Sequence, residues 1–227
     1  MLKNHCINLI KHFKLVLYII VSIGFTNVQA GSFEDFFKAI AIDDAPAVAD
    51  LLRRGFDPNT INTDGMPALL MAVRESSFKA ATVLLESPKI KVEVRNASDE
   101  SPLMLAALKG ELELCRLLIK KGADINKPGW APLHYAATNG HLAVMQLLLD
   151  NYAYIDASSP NGTTPLMMAA HYGTVEAVKL LLDAGADVSI KNDLQLTALD
   201  MALRAKRTDA AAVITAFIRG SQSKGTW

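Results

Sequence analysis

A short phrase of seven residues recurs five times along the chain, at intervals of 34, 30, 33 and 33 residues. A period near 33 indicates that the chain repeats one supersecondary unit, and such units stack because none can bury its apolar face alone. The repeat therefore predicts an elongated stack whose core runs between the units. The copies are PALLMAV from Pro67, SPLMLAA from Ser101, APLHYAA from Ala131, TPLMMAA from Thr164 and TALDMAL from Thr197.

The letters of each copy predict a pair of helices joined by a tight turn. Ser101-Pro102 and Thr164-Pro165 set a capping hydroxyl ahead of a proline, which loses no hydrogen bond at the first helical position. An alanine pair then keeps one helix face flat, and a glycine turns the chain into a second, leucine-rich helix. The turning glycines are Gly110, Gly140 and Gly173.

These phrases, with endings such as LLLDAGAD, resemble the ankyrin repeat from Phe33 to Gly220. The resemblance implies an all-α solenoid of stacked helix-turn-helix units, with a finger loop between each second helix and the next unit. We expect a domain at 31–220 and a flexible tail at 221–227. Within the domain the expected units are an N-terminal cap at 32–65, repeats at 66–99, 100–129, 130–162 and 163–195, and a C-terminal cap at 196–220.

Composition and charge argue against a disordered protein and against a nucleic-acid-binding protein. The chain is 51% hydrophobic and 20% charged, as folded globular proteins are. Its formal net charge is zero, and Lys and Arg do not cluster, so we expect no nucleic-acid partner.

The amino terminus resembles an export signal. Lys3, Lys11 and Lys14 precede an apolar run at Leu15–Phe25, and small residues up to Ala30 suit a signal peptidase. As a helix, eleven residues reach about 16 Å, well short of the roughly 30 Å hydrocarbon core of a bilayer. We expect residues 1–30 to be cleaved and the mature protein to be periplasmic with no membrane contact; a retained anchor, giving a membrane-tethered scaffold, is the alternative.

The expectation of a periplasmic protein also rests on a second resemblance, to exported bacterial ankyrin proteins. Some proteins of that kind are associated with oxidative-stress defence, including support of catalases. The resemblance implies a link of this chain to stress defence, and no residue of the sequence bears on it.

Enzyme motifs are missing from the sequence. It holds no G-x-S-x-G, H-E-x-x-H, phosphate-binding loop or C-x-x-C, so we expect no catalysis and no cofactor. Asp99 and Glu100 are expected to form a solvated acidic pair in a finger loop. Cys115, in an apolar helical run, is expected to be buried and inert.

Three histidines of the repeat region pose the question of a metal or acid–base site. His134 fills the histidine position of the ankyrin phrase, where in the family the imidazole bridges the turn and helix backbone, and His141 begins the next helix. These two should therefore point in different directions. A metal-dependent or hydrolytic enzyme that uses His134 and His171 is an alternative, which lacks a nearby carboxylate or thiol ligand.

Two departures from the repeat lie in the finger loops. The loop before Ala131 is three residues short, and Pro128-Gly129 suits a type II turn, which presents Trp130. Tyr152 stands where other copies have glycine. Because a tyrosine with positive φ is strained, we expect Asn151 to take the left-handed conformation instead.

The resemblance implies a monomer that binds a protein partner through its finger loops and inner helix ends. Of the residues in these positions, Trp130 is either a rim residue or a binding anchor. The expected partner-binding residues are Arg74, Leu108, Lys109, Trp130, Thr138, Asn139, His171 and Tyr172.

Overall fold

The computed structural model of the protein describes residues 32–223, with side chains up to residue 221. The proposed signal at 1–30 lies outside the described residues, as do 224–227 of the expected tail. Within the described part of the chain, no helix is long and apolar enough to span a bilayer.

The described residues form twelve α-helices, paired along the chain by short turns, and almost no strand. Their bounds are α1 32–41, α2 Ala45–Arg53, α3 Ala68–Arg74, α4 Phe78–Glu86, α5 Pro102–Lys109, α6 Leu112–Lys120, α7 Pro132–Asn139, α8 Leu142–Asp150, α9 Pro165–His171, α10 Val175–Asp183, α11 Ala198–Arg204 and α12 Thr208–Ser223.

The helices form two layers that run the length of the stack. The inner helices α3, α5, α7, α9 and α11 each pack on the next of that series, and the outer helices α4, α6, α8, α10 and α12 do the same. Each inner helix also packs on the outer helix that follows it. The all-α solenoid predicted from the repeat is therefore confirmed.

The inner helices begin as the sequence predicts. Ser101 Oγ accepts a hydrogen bond from Met104 N at 3.2 Å, and Thr164 Oγ1 accepts one from Met167 N at 3.3 Å. Pro102, Pro132 and Pro165 open α5, α7 and α9 at equivalent positions. A hydroxyl cap thus marks the start of α5 and α9, and a proline at the first position is common to α5, α7 and α9.

One continuous core lies between the layers and between the repeats. It extends from Phe36 in α1 to Ile214 in α12, so no repeat has a core of its own. The paired alanines of α5, α7 and α9 are fully buried, which lets neighbouring inner helices approach closely. Cys115 is also buried, as predicted, and burial raises the pKa of its thiol to about 12.

Gly173 differs from the other two turning glycines. Gly110 and Gly140 adopt left-handed conformations with φ of 75° and 68°, but Gly173 has no positive φ because α9 already ends at His171. A Cβ on Gly173 would overlap the carbonyl oxygen of Ala137 and lie 2.9 Å from Ala169 Cα. Gly173 does lie in the turn between α9 and α10, as predicted, but close packing and not a left-handed conformation requires the glycine there.

The prediction for the end of α8 was wrong. Tyr152 itself takes the left-handed conformation with φ of 64°, whereas Asn151 has φ of −102°. Tyr152 thus adopts the conformation that Gly122 and Gly185 adopt at the equivalent turns. Its backbone N donates to Leu149 O at 3.0 Å, and this turn geometry prevails over the preference of the side chain.

The last helix is longer than expected, because α12 continues to Ser223, beyond the boundary predicted at 220.

Candidate protein-binding face

The predicted partner-binding residues lie along one edge of the inner layer. Seven of them occupy or directly follow the C-terminal ends of four consecutive inner helices, α3, α5, α7 and α9, and Trp130 lies in the finger loop before α7. We call this surface the binding face. In solenoids of this kind the inner helices and finger loops form the concave surface.

A small apolar pocket of about 250 Å³ opens on the binding face, and we call it the Trp130 pocket. Three predicted residues line it together with three that the sequence analysis did not select for binding. Two of those, Tyr135 and Met168, directly follow the histidine position of their phrases. The lining residues are Leu108, Trp130, His134, Tyr135, Thr138 and Met168.

Trp130 forms one wall of this pocket and is half-buried. Gly129 just before it has φ of 81°, as the left-handed position of a tight turn requires. The indole packs edge-on against the His134 ring, with centroids 5.3 Å apart and planes inclined by 76°. The ring packs on its own repeat and borders an open pocket, so both the rim residue and the binding anchor stay predictions for Trp130.

His134 is fully buried beneath that indole and bridges two repeats. Its Nδ1 accepts a hydrogen bond from Ala131 N at 3.1 Å, so its Nε2 carries the proton and donates to Thr163 O, 2.9 Å away. Burial lowers the pKa of His134, although the hydrogen bond to Thr163 O opposes that shift. His134 therefore acts as a neutral structural residue, as predicted.

The other two histidines bond elsewhere. His141 Nε2 lies 2.9 Å from Leu108 O in the preceding repeat, and His171 Nδ1 lies 3.3 Å from Met201 O in the following one. His134 and His141 therefore do point in different directions. Within residues 32–223 no three His, Cys, Asp or Glu side chains gather where they could hold a metal ion.

Several predicted binding residues hold neighbouring repeats together through their polar atoms. Lys109 Nζ donates to Ser76 Oγ at 2.9 Å, and Asn139 Nδ2 donates to Leu108 O at 2.8 Å. Thr138 Oγ1 donates to His134 O within α7 at 2.8 Å. These bonds rigidify the binding face and leave its apolar surface as the part that is open to a partner.

At the two ends of the row, an aromatic and a charged side chain remain exposed. Tyr172 is 59% exposed, and its ring centroid lies 4.1 Å from that of His171. Arg74 forms an exposed ion pair with Glu75 at 3.0 Å. Neither residue lines the Trp130 pocket, so the structure does not gather all eight predicted residues into one site.

The acidic pair of the second finger loop was expected to be solvated only. Both acids in fact make specific contacts. Asp99 pairs with Lys127, whose side chain is only 10% exposed, and this hydrogen bond lowers the pKa of Asp99. Glu100 accepts from Tyr135 Oη at 3.2 Å and from Asn96 Nδ2 at 2.7 Å. Asp99 thus links its finger loop to the next finger loop through Lys127, 28 residues away. Glu100 links the same loop to α7 through Tyr135, 35 residues away.

A family model described as ankyrin repeats (3 copies) matches the chain at residues 36–128, 90–159 and 133–219. The chain belongs to the ankyrin-repeat family. Ankyrin repeats indicate a module for protein–protein interaction.

This ankyrin protein is similar to parts of several known proteins. The rat ankyrin repeat and SAM domain-containing protein 6 is 37% identical over 47% of the chain, which is 12% of that protein. The chicken nuclear factor NF-kappa-B p105 subunit is 30% identical over 68% of the chain, or 16% of that protein. The mouse protein phosphatase 1 regulatory subunit 27 is 30% identical over 41% of the chain, or 62% of that protein. The chain therefore spans a small share of the first two relatives.

Proposed function

We propose that this ankyrin protein is a non-enzymatic adaptor that binds a protein partner through the binding face, with the Trp130 pocket as its centre. The observation that carries the proposal is the pocket itself, which three consecutive repeats line with Leu108, Trp130 and Met168. Aromatic and apolar residues in well-packed pockets are the usual centres of binding energy in protein interfaces.

The chemistry of the lining favours an apolar side chain of the partner as the occupant. The hydroxyl of Tyr135 is bonded to Glu100, and that of Thr138 is bonded to a backbone oxygen in its own helix. His134 has both ring nitrogens bonded. Since these polar groups are already satisfied, a polar occupant would gain few hydrogen bonds and lose its hydration.

Two relatives support an adaptor role through their names. The chicken and mouse proteins are named as subunits, one of nuclear factor NF-kappa-B and one a regulator of protein phosphatase 1. Each name describes a protein that works in an assembly with others. We transfer only that role to this chain, and not the partners.

The compartment is a further part of the proposal. The amino-terminal lysines and the apolar run at Leu15–Phe25 support export to the periplasm and cleavage after Ala30. N-terminal sequencing of the protein recovered from cells, with fractionation, tests this. A chain that begins at Gly31 in the soluble exported fraction supports it, whereas a chain that keeps residues 1–30 and sediments with membranes would establish the tethered alternative. The link to stress defence is tested by the identity of the partner.

The test of the binding site is Trp130→Ala. A partner is first isolated from the exported fraction with the unaltered protein, and its dissociation constant is then measured for both forms. Loss of a central anchor that contributes about 2 kcal/mol weakens binding roughly thirtyfold. Leu142→Ala, an exposed truncation in outer helix α8, is the matched control and should bind as the unaltered protein does. Equal affinity for Trp130→Ala, with unchanged thermal unfolding, would remove the pocket from the binding site.

A further inference from the structure

Two tyrosines project from the opposite edge of the stack, where an outer helix ends and a finger loop begins. Tyr152 is 86% exposed and Tyr154 is 67% exposed, and Tyr152 is the most exposed large apolar side chain in the described part of the chain. Neither ring contributes to the core. The Tyr152–Tyr154 pair is separate from the binding face, since the end of α8 belongs to the outer layer.

The neighbouring repeats have other residue types at these two positions. A ladder of hydrogen bonds between loops establishes the equivalence, because a side chain of one loop accepts the backbone N–H of the next. Tyr154 is thereby equivalent to Asp124 and Asp187, and Tyr152 to Gly122 and Gly185. The bonds of this ladder are Asp124 N to Glu93 Oε1 at 2.7 Å, Tyr154 N to Asn126 Oδ1 at 2.8 Å and Asp187 N to Asp156 Oδ1 at 3.1 Å.

The fold gains nothing from Tyr152 that would offset its strained backbone. Its φ of 64° is a conformation that glycine adopts at no steric cost, and glycine stands at the equivalent turns. A ring that is 86% exposed does not recover this energy through packing. A strained backbone at an exposed aromatic residue suggests that the side chain is kept for a function.

One side chain holds the backbone of both tyrosines. Asn126 Nδ2 donates to Tyr152 O at 2.8 Å, and Asn126 Oδ1 accepts from Tyr154 N at 2.8 Å. The two rings therefore stand on a fixed segment. An aromatic pair on a rigid backbone loses little conformational entropy when it binds a partner.

The charges around the pair differ between its two sides. On the carboxy-terminal side lie the exposed Asp183 at the end of α10 and the exposed Asp187 in the equivalent loop. Hydrogen bonds from Ser189 lower the pKa of Asp187, which keeps it ionised at neutral pH. The amino-terminal side has Lys120 and Lys121 beside Asp124, the equivalent of Asp187. A partner that covers the tyrosines from the carboxy-terminal side therefore meets negative charge.

We propose that the Tyr152–Tyr154 pair is a second docking surface, which binds an arginine-bearing segment of a protein partner. Guanidinium groups stack on the faces of aromatic rings, and arginine suits this contact better than lysine because its planar cation is weakly hydrated. The same arginine, or its neighbour in the segment, then reaches the carboxylates of Asp183 and Asp187. The protein would thus hold one partner at the binding face and another at its outer edge.

The test uses an acetylated, amidated triarginine peptide as the probe, titrated into the full chain and followed by the backbone amide NMR signals of residues 150–156, which every variant retains. The double change Tyr152→Gly with Tyr154→Asp restores the residue types of the neighbouring repeats, so it should fold. Loss of two ring contacts weakens binding about fivefold or more. The change of both tyrosines to Phe keeps the rings, and binding should stay within about twofold of the unaltered protein.

Several outcomes would overturn the proposal. Tyr154→Asp adds a carboxylate, so tighter binding by the double variant would mean that charge alone attracts the peptide. Equal affinity for triarginine and trilysine would remove the preference for arginine, and no shift of either tyrosine on addition of triarginine would remove the site. Self-association that the double variant abolishes, measured by sedimentation, would make a second copy of the chain the occupant. Because Trp130 is unchanged in these variants, capture at the binding face is tested independently.

Discussion

The Nε2 atom of His134 lies 2.9 Å from the backbone oxygen of Thr163, in the loop that precedes the next inner helix. The opposite ring nitrogen accepts from Ala131 N at 3.1 Å, just ahead of α7. A single buried imidazole thus connects the start of one repeat to the start of the next. In a stack without independent cores, such a bond is part of the interface that makes folding cooperative.

His134→Ala should destabilise the stack and leave its architecture intact. The change leaves the buried N–H of Ala131 without a partner, at a cost of about 1–3 kcal/mol. It also removes one of the two hydrogen bonds that Thr163 O accepts, since Ser159 N still donates to that oxygen at 3.0 Å. Urea unfolding followed by circular dichroism measures the difference. His134→Met is the matched control, because Met104 fills the equivalent position and its Sδ lies 3.3 Å from Ser101 N. An alanine variant as stable as the unaltered protein would contradict the bridging role.

Stability should also fall as the pH drops below about 6.5, the ordinary pKa of histidine. Burial lowers the pKa of His134 in the folded state, so the unfolded state binds the proton first. The contribution of neutral His134 is therefore complete above pH 6.5 and is lost as the pH falls toward its lowered pKa. The slope reaches at most about 1.4 kcal/mol per pH unit for one group.

The measurement is the difference in unfolding free energy between the unaltered protein and His134→Met from pH 7.5 to about 5, above the usual range of carboxylates. The difference should shrink as the pH falls. If it stays constant, His134 binds protons equally in both states.

Gly173→Ala should be among the most damaging small substitutions in the chain. The added methyl group would overlap Ala137 O and press on Ala169, both of them backbone contacts that a side-chain rotation cannot relieve. Overpacking of this kind costs about 1–3 kcal/mol or more. Gly220→Ala is the control, because a Cβ there meets nothing within 4 Å and the residue lies inside α12. It should raise stability by about 0.5–1 kcal/mol, the helix preference of alanine over glycine.

The features that the sequence predicted correctly are those that depend on local chemistry. A hydroxyl before a proline specifies a helix start whatever surrounds it, and so Ser101 and Thr164 cap their helices as expected. The period of the phrases then specifies how the units stack. Burial of Cys115 followed from the apolar helix that contains it.

The features that the sequence did not predict depend on contacts between repeats. The partners of Asp99 and Glu100 come from the next loop and the next inner helix, at Lys127 and Tyr135. The Trp130 pocket likewise needs Met168 from a third repeat, which the sequence analysis read only as part of a repeated phrase. The sequence predicts the position of a residue within its repeat, but it does not predict which residue of a neighbouring repeat that residue contacts.

Cys115 should resist alkylation in the folded protein. Its side chain is buried in α6, and burial raises the pKa of the thiol to about 12, so the reactive thiolate is scarce at neutral pH. With Cys6 replaced by Ser, iodoacetamide labelling followed by mass spectrometry should be slow in buffer and rapid in urea. A labelling rate in buffer close to that in urea would show that α6 opens readily. Cys115→Ala is expected to cost stability through the small cavity that it leaves.

Tyr152→Gly should stabilise the protein, against the usual effect of introducing glycine. Relief of a left-handed tyrosine is worth about 1–2 kcal/mol, whereas the extra freedom of glycine in the unfolded chain costs about 0.5–1 kcal/mol. Relief of the strain is the larger of the two effects. The change removes no packing that would offset it, because the ring is exposed. Tyr154→Gly is the matched control two residues away: Tyr154 has no positive φ, so only the entropic cost remains and stability should fall. Thermal unfolding of both variants distinguishes these directions, and a loss of stability for Tyr152→Gly would mean that the ring holds the turn in place through contacts that its exposure does not suggest.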